Sequence, residues 1–102
     1  MSANNQAKLL QLLGLAQRAR KLVLGEELVV SAARKKQLAL IFLASDTGIN
    51  THKRITDKAN FNQIPIIEVF TAAQLTQAIG LPRKVICVSD SGFAKGMVSL
   101  MQ

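Results

Sequence analysis

Apolar residues recur along this chain with two periods, one suited to a helix and one to a buried strand. From Ala7 the spacing is helical: Leu9, Leu10, Leu12, Leu13 and Ala16 fall on one side, with Asn4 or Asn5 as the expected N-cap. The basic stretch Gln17-Arg18-Ala19-Arg20-Lys21 then leads into a short apolar strand, Leu22–Leu24. Gly25 breaks that strand. Glu26 and Glu27 open a second helix, Leu28 to about Lys35, because acids are favoured at the positive end of a helix dipole. Arg34, Lys35 and Lys36 close it at the end where cations are favoured.

The run Leu38–Ala44 is apolar without alternation, which predicts a central strand covered on both faces. Ser45-Asp46-Thr47-Gly48 reads as a turn, and a polar helix is expected from about Asn50 to Asn62. Pro65 precedes a strand at Ile66–Val69. Thr71 caps a helix from Ala72 to Ile79, which Gly80 terminates. After the loop Leu81-Pro82-Arg83 come a strand from Lys84 to Val88, the turn Ser89–Gly92 and a last helix through Leu100. This alternation predicts one α/β domain over residues 1–102, a three-layer α/β/α sandwich around a mixed sheet of about four strands. Phe42 and Phe70 sit in or beside strands, and Phe61 and Phe93 at helix ends, so all four rings are expected in the core.

Composition adds a partner to this picture. An apolar fraction of 49% in 102 residues supports one core and excludes a disordered chain. Thirteen Lys and Arg against six Asp and Glu leave a formal charge of +7. Such an excess repels itself, and a polyanionic partner is the usual reason for keeping it. Cys87 is alone in the apolar run Val85–Val88, so it forms no internal disulfide and is expected to be buried and inert. The N-terminal residues Met1–Gln6 do not read as a signal peptide, and no apolar run nears the roughly 20 residues of a membrane span. The expectation is a cytoplasmic protein with no membrane contact.

The sequence offers little chemistry. It has no Walker loop and no G-x-G-x-x-G after the first strand, since Gly25 stands alone there. His52, the sole histidine, is a surface residue beside Lys53 and Arg54, without the companions a metal site needs. Ser45, His52 and Asp46 could be written as a triad, but nothing resembles a nucleophile elbow. No catalysis, cofactor or metal is expected.

The ordered set Leu12-Leu13-Gly14-Leu15-Ala16-Gln17-Arg18-Ala19-Arg20-Lys21, Gly25-Glu26-Glu27-Leu28-Val29-Val30, Ala44-Ser45-Asp46, Thr56-Asp57-Lys58, Ile64-Pro65, Leu75–Gly80 and Ser91-Gly92-Phe93-Ala94 carries a resemblance. Over essentially its whole length the chain resembles the kink-turn-binding ribosomal-protein family of the archaeal seven-Ae and eukaryotic thirty-e type. The match is nearest to short bacterial members. The resemblance implies an α/β/α sandwich that binds sharply bent RNA, plausibly ribosomal RNA, as a monomer. It places the contacts at the start of the second helix (Gly25, Glu26, Glu27, Leu28 and Ser31) and in the loop Gly80, Leu81, Pro82 and Arg83. Arg20, Lys21, Arg34 and Lys35 are the flanking cations expected to meet phosphate.

At three positions the sequence departs from the family pattern, which has Asn, Glu and Lys where Glu27, Leu28 and Ser31 stand. Asn and Lys donate to the O6 and N7 acceptors of guanine, whereas an ionised Glu only accepts and Leu does neither. A second expectation follows from this: an adaptor that binds proteins of the translation or transcription machinery and keeps the fold without kink-turn specificity. An RNA-modifying enzyme without its catalytic part ranks last.

Overall fold

In the computed structural model, which describes residues 2–101, helices and strands alternate along the chain. They are α1 (Ala3–Arg18), β1 (Leu22–Leu24), α2 (Glu26–Arg34), β2 (Leu40–Leu43), α3 (Ile49–Phe61), β3 (Ile66–Ile67), α4 (Ala72–Ile79), β4 (Val85–Val88) and α5 (Ser91–Ser99). The strands form one mixed sheet in the order β1-β4-β2-β3. β4 runs antiparallel to both its neighbours, with Val23 opposite Cys87 and Ile41 also opposite Cys87, while β2 and β3 are parallel.

Every residue of β2 and β4 is buried, because each face of the sheet carries its own helices. Leu40 and Phe42 of β2 and Ile86 and Val88 of β4 point toward α1, α4 and α5, where they meet Leu9, Leu13, Leu75, Ile79 and Met97. The intervening Ile41, Leu43, Val85 and Cys87 point the other way, against Val29, Val30 and Ala33 of α2 and Ile55 and Ala59 of α3. The period of two within each apolar run thus builds both cores, which is why the runs show no polar positions. The expected three-layer sandwich is the observed one.

Local differences from the sequence reading have identifiable causes. α1 begins a turn before Ala7, with Ser2 as N-cap: its hydroxyl accepts from the Asn5 N–H at 3.1 Å. Asn4 and Asn5 therefore lie inside the helix, in a polar first turn that apolar periodicity cannot register. β3 is only Ile66–Ile67, and Val69 is half-exposed, because β3 is an edge strand pairing with β2 alone.

Phe61 is the clear correction. It is 86% exposed, while Phe42 and Phe70 are buried and stacked with ring centroids 6.3 Å apart. α3 buries Ile55 and Ala59, which lie four apart, and a residue two beyond Ala59 falls on the opposite side of the helix.

Gly14 marks the closest approach of α1 to α4: a Cβ placed there would stand 2.9 Å from the Ala78 carbonyl oxygen. Alanine normally gains about 1 kcal/mol over glycine inside a helix. Here the clash is with backbone, so Gly14→Ala should instead destabilise the fold by about 1–3 kcal/mol. Chemical denaturation checks this, and an unchanged or raised midpoint would refute the close packing.

Candidate nucleic-acid interface

The junction between β1 and α2 is made by Gly25, whose φ of 95° and ψ of 149° are closed to residues bearing a Cβ. Its N–H donates to the Val85 carbonyl at 3.0 Å, fastening the start of α2 beside the start of β4. The loop Gly80–Arg83 leads directly into β4. Gly80, left-handed at φ 79°, ends α4 and turns the chain into that loop. The helix start and the loop therefore share one rim of the sheet, although more than fifty residues separate them in sequence.

The start of α2 is open. Ser2, Thr71 and Asp90 cap α1, α4 and α5 with side-chain oxygens, but Gly25 before α2, like Gly48 before α3, has none to offer its helix. The first-turn N–H groups of α2 keep their donor capacity and the positive end of the helix dipole. Beside them runs a groove of about 600 Å³ between β1 and α2, lined by Leu22, Val23, Leu24, Leu28, Ser31, Ala32, Lys35, Gln37 and Arg83. Leu28 is 61% exposed, and Leu81 and Pro82 stand out on the neighbouring loop. Arg83 is half-buried, its guanidinium donating to the Pro82 carbonyl at 2.9 Å. Apolar groups and the two cations Lys35 and Arg83 thus share one surface.

Two acids at this helix start are already partnered, by a residue the sequence reading left out of the site. Arg54 of α3 donates to Glu26 Oε2 at 2.6 Å and to Glu27 Oε1 at 3.0 Å. Thr51 adds a hydroxyl bond to Glu26 Oε1 at 3.0 Å. The hydrogen bond to Glu27, then that to Glu26, raises the Arg54 pKa above its ordinary value, so the guanidinium stays charged. One guanidinium thus offsets one of the two carboxylate charges, leaving the three-residue cluster at −1 rather than −2. Arg54 belongs to the basic group Lys53-Arg54-Lys58, which marks it as a surface cation but not as the partner of acids 27 and 28 residues away.

Other expected site residues are not gathered here. Arg20 and Lys21 are exposed at the opposite end of β1, where the Lys21 carbonyl accepts from the Ser89 N–H and hydroxyl. Arg34 is exposed outside the groove. His52 lies on the surface as expected, with Nε2 2.8 Å from Glu68 Oε2. Cys87 is fully buried, and desolvation pushes its thiol up to about 12. Among the described residues, no group of three or more His, Cys, Asp and Glu is placed to hold a metal ion, and no helix is long and apolar enough to cross a membrane.

Fold and site together give a small α/β/α domain, with a helix start lacking a side-chain cap beside a largely apolar groove that carries Lys35 and Arg83. The chain belongs to the ribosomal protein L7Ae/L30e/S12e/Gadd45 family, which it matches over residues 7–95. It is 41% identical over 102 residues to the RNA-binding protein YlxQ of Enterococcus faecium, covering 100% of this chain and 99% of that one. To the RNA-binding protein YlxQ of Bacillus subtilis (strain 168) it is 44% identical over 91 residues, covering 88% and 91%. A solved structure of a protein of unknown function from Bacillus halodurans superposes with a TM-score of 0.89 at 47% identity, over 93% of this chain and 97% of that one. The Giardia lamblia 15.5kD RNA binding protein superposes with a TM-score of 0.83 over 97% and 88%, and at 14% identity it shows the shared fold alone.

Proposed function

We propose that this chain is a non-catalytic, monomeric RNA-binding protein of the cytoplasm, docking on a folded RNA of ribosomal type. The observation that carries the reading is the meeting, on one rim, of an uncapped helix N-terminus, the Gly80–Arg83 loop and a groove carrying Lys35 and Arg83. Open N–H groups receive phosphate or base acceptors. Exposed Leu28 and Leu81 pack on bases turned out at a bend, where RNA is most accessible to side chains. The net charge of +7 and the names carried by its YlxQ relatives support the same conclusion. Arg20, Lys21 and Arg34 extend the cationic surface toward longer RNA stems.

The reading extends to selectivity. Glu27 is held by Arg54, Leu28 has no polar side-chain atom and Ser31 no charge, so the side-chain amide and ammonium donors that suit guanine are missing from the helix start. The bend itself, rather than its G·A pairs, is what this surface recognises. Replacing the G·A pairs in a bent RNA with pairs that keep the bend should change affinity less than straightening the helix.

Salt dependence is the direct test. Each phosphate neutralised adds about 0.9 to the slope of log affinity against log salt on duplex nucleic acid. Arg83→Ala, alone or with Lys35→Ala, should weaken binding several-fold and lower that slope by about 1 per cation removed. A flat titration with bent RNA would refute RNA docking. Capture of a partner protein that survives nuclease treatment would favour the adaptor reading, which exposed Leu28 also fits.

A further inference from the structure

The exposed ring of Phe61 lies at the far end of α3 from Arg54 and the start of α2. Seven residues of helix separate it from Arg54, a span of ~10 Å. Beneath and beside the ring is a cleft of about 420 Å³, lined by Lys36, Leu38, Phe61, Asn62, Gln63 and Ile64. Ile64 is buried and Leu38 half-buried, so they form the floor. Lys36 and Gln63 are exposed on the walls, and both leave their helices with left-handed backbone, at φ 55° and 57°. The Asn62 amide is fixed by its bond to the Lys58 carbonyl at 2.9 Å.

The surroundings are cationic. Lys36, two residues past the end of α2 at Arg34, lines the cleft, and Lys58 lies one turn before Phe61; Asp57 is the carboxylate within that same turn. A protein-binding patch would need a contiguous apolar area of several hundred Å². This site instead offers one ring, amides and ammonium groups. That combination matches a nucleic-acid strand, whose bases stack on aromatic faces and whose phosphates meet cations.

We propose that Phe61 is a stacking platform for an unpaired base of the bound RNA, with Lys36 meeting the adjoining phosphate. The proposal rests on RNA binding at the α2 start and adds a second contact at the other end of the α2–α3 layer. A folded RNA held at the groove continues along this layer as a single strand. Stacking contributes about 1–3 kcal/mol per base and tolerates any sequence. Its loss corresponds to about five- to 150-fold in affinity.

The test uses two RNAs: a bent hairpin, and the same hairpin with a tail of about eight unpaired uridines. Because the chain has no Trp or Tyr, Phe61→Trp provides a single emitter at the site. The tail should tighten binding of the unaltered protein about ten-fold and quench the tryptophan of Phe61→Trp. Phe61→Ala should abolish the gain from the tail while binding the tailless hairpin as before. Lys36→Gln should reduce the salt slope for the tailed RNA by about 0.7. Failure of the unaltered protein to bind either RNA would remove RNA docking and this contact together. Tailless binding with no gain from the tail, or a gain that survives in Phe61→Ala, would overturn the stacking platform alone.

Discussion

Replacing Arg54 with alanine should weaken binding to bent RNA at low salt on the order of ten- to a hundred-fold, while the thermal midpoint barely moves. The ion pair of Arg54 with Glu27 is exposed and that with Glu26 partly so, and pairs in contact with solvent contribute little to folding. Their effect on RNA is different in kind. Without Arg54, two carboxylates stand unpaired at the helix start, where phosphates arrive, and like charges at an interface are strongly unfavourable. The expected behaviour of a rescue variant separates this role from a direct phosphate contact. Adding Glu26→Gln and Glu27→Gln to Arg54→Ala should restore most of the affinity if Arg54 acts by offsetting the charge of the acids. If the guanidinium itself held phosphate, the amide substitutions would recover little. Affinity unaltered by Arg54→Ala would exclude both roles.

The second large effect is on stability in alkali. The Cys87 thiol ordinarily ionises near 9, and desolvation in the core raises it to about 12. The unfolded chain therefore loses this proton first as pH rises. Below pH 9 both states hold the proton and the contribution to stability is complete; between about 9 and 12 the unfolded state is progressively favoured. The loss approaches about 1.4 kcal/mol per pH unit within that window. A total of about 4 kcal/mol is large beside the ~5–15 kcal/mol that holds a domain folded. Urea midpoints at pH 8, 10 and 11 measure it. Lysines titrate in the same range, so the comparison is with Cys87→Ala, which should show a clearly shallower decline. Parallel declines in the two proteins would mean that the thiol is not shielded.

Much of the site's frame was legible in the sequence. Gly25 and Gly80 broke the periodic pattern at the places where the backbone turns left-handed or glycine-only, and those turns set the helix start and the loop. The partner of Glu26 and Glu27 was not legible. The acids alone read as helix-dipole groups, and only the packing of α2 against α3 brings Arg54 and Thr51 to them. Arg20, Lys21 and Arg34 show the converse limit: basic residues clustered in sequence are distributed by the fold to different edges.

By itself, the sequence determined the order of elements, the two cores and the excess of positive charge. These follow from local periodicity and counting, because alternate residues of a strand must face opposite layers. Tertiary structure decided which strands are neighbours, that the α2 start and the Gly80–Arg83 loop share a rim, and that Arg54 pairs with both acids there. It also turned Phe61 outward. Each helical residue turns by about 100°, so a short shift in position moves a ring from core to solvent, and contacts between distant segments depend on a register that no local pattern records.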